Sequence, residues 1–192
     1  MPDGGRGTEI IGAACAAALL VVYGATMAPT LTWAHYGADG GDLVTAVVRG
    51  SIPHPPGSPT YLLLGELFIR LPWGDPAWRL NLMSAVLAAG AAVLTIAAIR
   101  LLIRPGICNP QTATSNPQPQ SPISILQSPF SILLSPLCAG LSLGLAPLFW
   151  SQALIAEVYA PAAFFAALVG YLALRGGPAW VLGLAWGVGM GA

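Results

Sequence analysis

The run LNLMSAVLAAGAAVLTIAAIRLL, residues 80–102, is interrupted only by Asn81, Ser84, Thr95 and Arg100. A helix needs about 20 mostly apolar residues to cross a hydrocarbon core about 30 Å thick, so the run reads as a transmembrane helix. Composition agrees: 7% of the chain is charged and 56% hydrophobic, which is the balance of a membrane protein. The seven basic residues are all Arg, they are scattered, and seven acids cancel them. That removes the electrostatic footprint a nucleic-acid partner requires.

Upstream, residues 10–28 form a second run, without a single charge. A cleaved signal peptide competes for this segment, since Arg6 precedes it and small residues are plentiful. The run exceeds a usual signal core, and Cys15 lacks a leucine three residues before it, so a retained signal anchor is the expectation. Downstream, residues 132–149 and 158–174 read as further spans, and a fifth starts at Pro178 and is still apolar at Ala192. The expected fold is an all-α polytopic membrane protein of about five transmembrane helices, the last truncated, as in the N-terminal piece of a longer protein or a truncated gene product. Cys15, Cys108 and Cys138 have neither the spacing nor the setting of a disulfide framework or zinc site.

Arginine placement sets the expected orientation, because basic residues near helix ends stay cytoplasmic. Arg6, Arg100, Arg104 and Arg175 fall on one side if the N-terminus, residues 1–9, is cytoplasmic. Residues 30–78 and the turn at 151–157 then lie outside, with Asp39, Asp42, Glu66, Asp75 and Glu157. Within that loop PTYLLLGELFIRLPW, residues 59–73, is too short to span: about 15 residues reach about 22 Å as a helix. Glu66 and Arg70, four apart, and Trp73 mark it as an interfacial or re-entrant helix. The unit 10–104 therefore holds two spans and an external loop, and 132–192 holds the remaining three. Between them 105–131, rich in Pro, Ser and Gln, reads as a disordered cytoplasmic linker. The echoes SPISILQ, SPFSILL and SPLCAGL, from Ser121, Ser128 and Ser135, carry a proline every seven residues, which points to a short duplication rather than a coiled coil.

Chemistry concentrates in HYGADGGD, residues 35–42. Asp39 and Asp42, three apart, share a helix face at the outer surface, where a carboxylate can act as general base toward a hydroxyl. The alternative is structural: Asp39 caps a helix starting at Gly40 and Asp42 complements its dipole. His35 is placed to join the two acids as a ligand of a divalent metal ion or as a proton carrier, or is simply solvated. The segment IPHPPGSP, residues 52–59, is forced by its prolines to be extended and stiff, so His54, Pro55, Pro56 and Gly57 shape the loop. Glu157 opens the fourth span, where an acid needs a partner, a task or the helix dipole. Arg49 and Arg79 are external and near the interface by this topology, and Arg79 reads as a snorkelling anchor.

With these residues in view, APTLTWAHYGADGGDLVTAVVRGSIPHPPGSPTYLLLGELFIRLPWGDPAWRLNLMSA resembles the start of the DUF2723 family, which includes protein O-mannosyltransferase-like membrane proteins. PLFWSQALIAEVYAPAAFFAALVGYLAL is similar to a later signature of that family. The resemblance implies a GT-C-like fold with helices lying along the membrane in the first external loop. It implies transfer of a sugar, mannose among the candidates, from a polyprenyl-phosphate donor to a hydroxyl of a protein or glycan acceptor. Asp39, with Asp42 beside it, matches the family's base, and Glu157 its second acid; the implied reaction makes Arg49 and Arg79 the candidate partners of the donor phosphate. The implied location is a bacterial plasma membrane. A transporter is the rival reading, and it requires acids within the spans. An inactive truncated membrane protein is the other.

Overall fold

The computed structural model describes residues 4–103 and 129–192, so Cys108 and the linker expected at 105–131 lie outside the described residues except for 129–131, which are helical. Eight α-helices and one 3-10 turn, Ala34–Tyr36, make up the described residues, with no strand among them. The helices are α1 Gly4–Thr26, α2 Gly40–Arg49, α3 Pro59–Phe68, α4 Pro76–Leu102, α5 Pro129–Gly144, α6 Pro147–Ala153, α7 Tyr159–Leu174 and α8 Ala179–Gly189.

Everything except α8 packs on α4. Its start is fixed locally: Pro76 takes the first turn, and the Asp75 side chain accepts from the Trp78 backbone N–H at 2.7 Å. Farther along, Ala85, Ala88, Ala89 and Ala92 recur on one face and are buried against α1 and the chain around Ala153–Ile155. Apolar side chains gain little by leaving lipid for each other, so membrane helices associate through close packing of small residues. Two glycines mark that closeness. A Cβ on Gly140 of α5 would lie 2.5 Å from Ile96 Cγ1 and 3.0 Å from the Ala92 carbonyl oxygen, and one on Gly90 would lie 2.9 Å from the Phe164 ring.

Among the described residues two helices are long and apolar enough to cross a membrane, α4 and the Glu9–Thr26 part of α1, with a third if a bent pair counts as one span, against an expectation of about five. The run expected as one helix over 132–149 breaks between α5 and α6 with a bend of 64°. Pro147 causes the break, because it brings no N–H and pushes the residue before it out of the helical region: Ala146 sits at φ −59, ψ 128. The bend leaves carbonyls without helical partners, and the buried Tyr23 hydroxyl donates to one of them, Gly144 O, at 2.7 Å. The sixteen residues of α7 and eleven of α8 rise only about 24 and 17 Å. The helix expected over 59–73 ends at Phe68, so Arg70 lies past it and the expected Glu66–Arg70 edge does not form on one helical face.

One end of the bundle is tied together by the chain's polar groups. Asn81 donates to the carbonyls of Ala28 and Thr30 at 2.9 and 3.3 Å, and Ala28 N–H donates to Leu154 O at 3.2 Å. Trp150 Nε1 donates to Thr26 Oγ1 at 3.1 Å, and Thr60 N–H to Gly191 O at 2.7 Å. The last turn of α1, residues 28–30, the head of α3, the 154–158 loop and the end of α8 thus meet at one level. Farther down α1, Cys15 is buried in the core, and Cys138 is exposed, both free thiols.

The packing yields a stability expectation. Gly140→Val should lower the thermal midpoint in detergent, an overpacking cost of about 1–3 kcal/mol, because both a side chain and a carbonyl of α4 stand in its way. Gly170→Ala, with nothing within 4 Å of its Cβ, should not. Equal midpoints for the two variants would refute the close α4–α5 approach.

Candidate active site

The site is built at the tied end, from the start of α2, the loop after it and the loop before α7. Residues 32–39 fold into a tight turn in which His35 and Tyr36 adopt left-handed backbone, φ 60 and 64. Such backbone is costly for residues with a side chain and persists only where neighbours enforce it. Two bonds do so here. Gln152 Nε2 donates to the His35 carbonyl at 2.9 Å, and the Asp39 N–H donates to Glu157 Oε1 at 3.1 Å.

Asp39 precedes α2, and its carbonyl accepts from Leu43 N–H at 2.9 Å. Its side chain makes no capping bond, which corrects the structural alternative for this residue: the carboxylate is not consumed by the helix end. Asp42, in the first turn of α2, is bound instead to His54, whose backbone N–H and Nδ1 both lie 2.8 Å from Asp42 Oδ2. His54 Nε2 in turn lies 3.6 Å from Asp39 Oδ2. The three side chains are about half exposed, at 50%, 47% and 49% for Asp39, Asp42 and His54.

Geometry of the chain explains how a residue twelve positions away returns to Asp42. Gly50 closes α2 in left-handed backbone, φ 61, and reverses the path. Four extended residues then cover about 13 Å, which offsets the roughly 10 Å that the helix climbs from Asp42 to Arg49. The stiff prolines after Gly50 hold that return; Pro53 is buried and the Pro55–Pro56 peptide is cis. His54 is thus more than a loop-shaping residue.

His35 is not in this cluster. Its ring is exposed, and what it contributes is its backbone carbonyl. Among the described residues no group of three or more His, Cys, Asp or Glu side chains is arranged to hold a metal ion, so the set Asp39, Asp42 and His35 does not fit one. His35 is solvent-exposed on left-handed backbone, while Asp42 engages His54.

Glu157 lies beneath the cluster, only 2% exposed. Burial pushes its carboxyl above the usual carboxylate range, opposed by the N–H groups of Asp39 and Val158. Its charge also acts on Tyr61, whose buried hydroxyl has no partner among the described residues. The expected acid at the head of the fourth span is therefore a buried support for the Asp39 backbone.

The two arginines differ. Arg79 donates to the carbonyls of Trp73 and Gly74 at 2.9 Å each and to that of Ile69, fastening the turn before α4. Arg49 ends α2 exposed and lines an open cleft of about 380 Å³ with Thr30, Leu31, Val44 and Asp75.

Comparison with known proteins places residues 39–177 within the family described as "Protein O-mannosyl-transferase TMEM260 N-terminal domain". A 59-residue stretch is 44% identical to "Protein O-mannosyl-transferase TMEM260" of Mus musculus, covering 30% of this chain and 8% of the mouse protein. No solved structure matches. Together with its apolar helices, this similarity makes the chain an integral membrane protein.

The cluster has a measurable electrostatic signature. Hydrogen bonds from the His54 N–H and ring hold Asp42 below its ordinary value of 3.8, while the bond to Asp42, then the charges of Asp39, Asp42 and Glu157, raise His54 above 6.5. A raised histidine stabilises the fold below 6.5 and loses that contribution as pH rises through its folded value; a lowered aspartate stabilises above 3.8 and loses it as pH falls. The pair's contribution should therefore be complete between pH 3.8 and 6.5. Titrating the His54 ring by NMR should give a midpoint above the ordinary value, and Asp42→Asn should bring it down. A midpoint unmoved by that substitution would contradict the pairing.

Proposed function

Because the chain belongs to the TMEM260 N-terminal domain family of protein O-mannosyl-transferases, we propose that it is part of a membrane glycosyltransferase of GT-C type. It transfers a sugar, mannose first among candidates, from a polyprenyl-phosphate donor to a hydroxyl of a protein or glycan acceptor on the external face. In this reading a GT-C-like bundle of about five spans, with α7 and α8 among them, holds the site at its outer end and keeps the N-terminus cytoplasmic. The reaction belongs to the intact protein, since the matched stretch spans 8% of the mouse relative.

The observation that carries this reading is the half-exposed Asp39 carboxylate, unused by its own helix, on a backbone whose N–H is held by Glu157. In the transfer, the acceptor hydroxyl gives its proton to Asp39 as its oxygen bonds the anomeric carbon. The carbon–oxygen bond to the donor phosphate breaks, and the phosphate leaves with the electron pair. A positioned base supplies about 10²–10⁴ in rate. Arg49, exposed beside an open cleft, is the candidate cation for the leaving phosphate. Arg79 has most of its donors committed to backbone carbonyls. A transporter would carry its acids within the spans, whereas Asp39, Asp75 and Glu157 precede helices and Asp42 lies in the first turn of the short helix α2.

Asp39→Asn in the intact membrane protein should preserve expression and thermal midpoint, since the side chain caps nothing. It should reduce sugar transfer from a polyprenyl phosphate by about 10²–10⁴. Wild-type turnover in that variant would remove Asp39 from the role of base.

A further inference from the structure

Asp39 and Asp42 stand three apart on one helix face, and a charged pair in that position repels. His54 is interposed between them. Its backbone N–H and its Nδ1 bind the same oxygen of Asp42, both at 2.8 Å, which closes a small ring and leaves the imidazole little freedom about its own bonds. The far nitrogen, Nε2, therefore faces Asp39 Oδ2 by construction, at 3.6 Å. That separation is an ion-pair contact rather than a hydrogen bond. Three carboxylates face the ring: Asp39 and Asp42 from the start of α2 and Glu157 from the loop before α7.

We infer that His54 is a positioning residue for Asp39, and that Asp42 acts on the reaction only by clamping the histidine. The inference rests on the reading of Asp39 as base. Asp42 is then neither a second base nor a metal ligand. It holds the ring, the ring offsets the repulsion between the two acids and presents the Asp39 carboxylate toward the acceptor, and Glu157 fixes the backbone beneath. The segment 52–58 is rigid for this purpose, because a mobile loop would let the ring swing away.

Isosteric substitutions separate the two ends of the imidazole. In His54→Asn the amide nitrogen replaces Nδ1, so the tether to Asp42 remains while nothing reaches Asp39. His54→Gln extends an amide nitrogen to the place of Nε2. In the intact protein, His54→Asn should lower kcat by about 10²-fold with KM for the polyprenyl-phosphate donor unchanged, the scale of a misplaced catalytic group. His54→Gln should recover part of that loss. Asp42→Asn combined with His54→Asn should be no slower than His54→Asn alone, as expected for residues acting through one another. Wild-type kcat in His54→Asn would reduce the histidine to a loop support and overturn the inference. A readout independent of activity is the ¹⁵N signal of the His54 ring, in which Asp39→Asn should shift Nε2 while Nδ1 keeps its Asp42-bound position. An Nε2 signal indifferent to Asp39 overturns the coupling even if transfer is observed. Absence of transfer in the wild type, with the Nε2 shift present, fails the glycosyltransferase reading and leaves the three-residue unit standing.

Discussion

Close approach to one helix, α4, is the constraint from which the rest of the molecule follows. In lipid the helices have little to gain from hiding apolar surface, so they are held by how near their backbones can come. Alanines on α4 and glycines on its neighbours supply that nearness. Because α4 begins at a proline capped by Asp75, its first turn is fixed, and Asn81 just inside that turn grips the carbonyls that follow α1. The packing in the middle of the bundle thereby sets the level at which the loops meet.

Polar atoms then do at the bundle's end what small residues do in its middle. A buried carboxylate is costly unless hydrogen-bonded, and Glu157 meets that condition by accepting from the backbone of Asp39. The same bond joins residues 118 apart in sequence. It places the start of α2 over the head of α7, and with the buried Glu157 engaged on backbone N–H groups the Asp39 carboxylate stays free at the surface. The division of labour among acids thus comes from their depth.

Much of this was legible in the chain. The apolar runs located α1, α4 and α7 closely, and the spacing of Asp39 and Asp42 put them on one face of a helix that does begin at Gly40. The break before Pro147 had a visible cause, yet the hydropathy of the run masked it. The choice between His35 and His54 was not legible. His35 is nearer to the acids in sequence, but left-handed backbone at 35 and 36 turns it aside, and the reversal at Gly50 brings His54 back. Arg79 was hidden for a different reason: its partners are backbone carbonyls, which every residue has, so no pattern of side chains announces them.

The sixteen residues of α7 have a further effect wherever that helix faces lipid. Its rise of about 24 Å falls short of a hydrocarbon core of about 30 Å, whereas the 27 residues of α4 exceed it. A bilayer meeting a short wall thins locally, at a cost of fractions of a kcal/mol per Å. Lipid headgroups beside such a helix sit nearer the midplane than those beside α4.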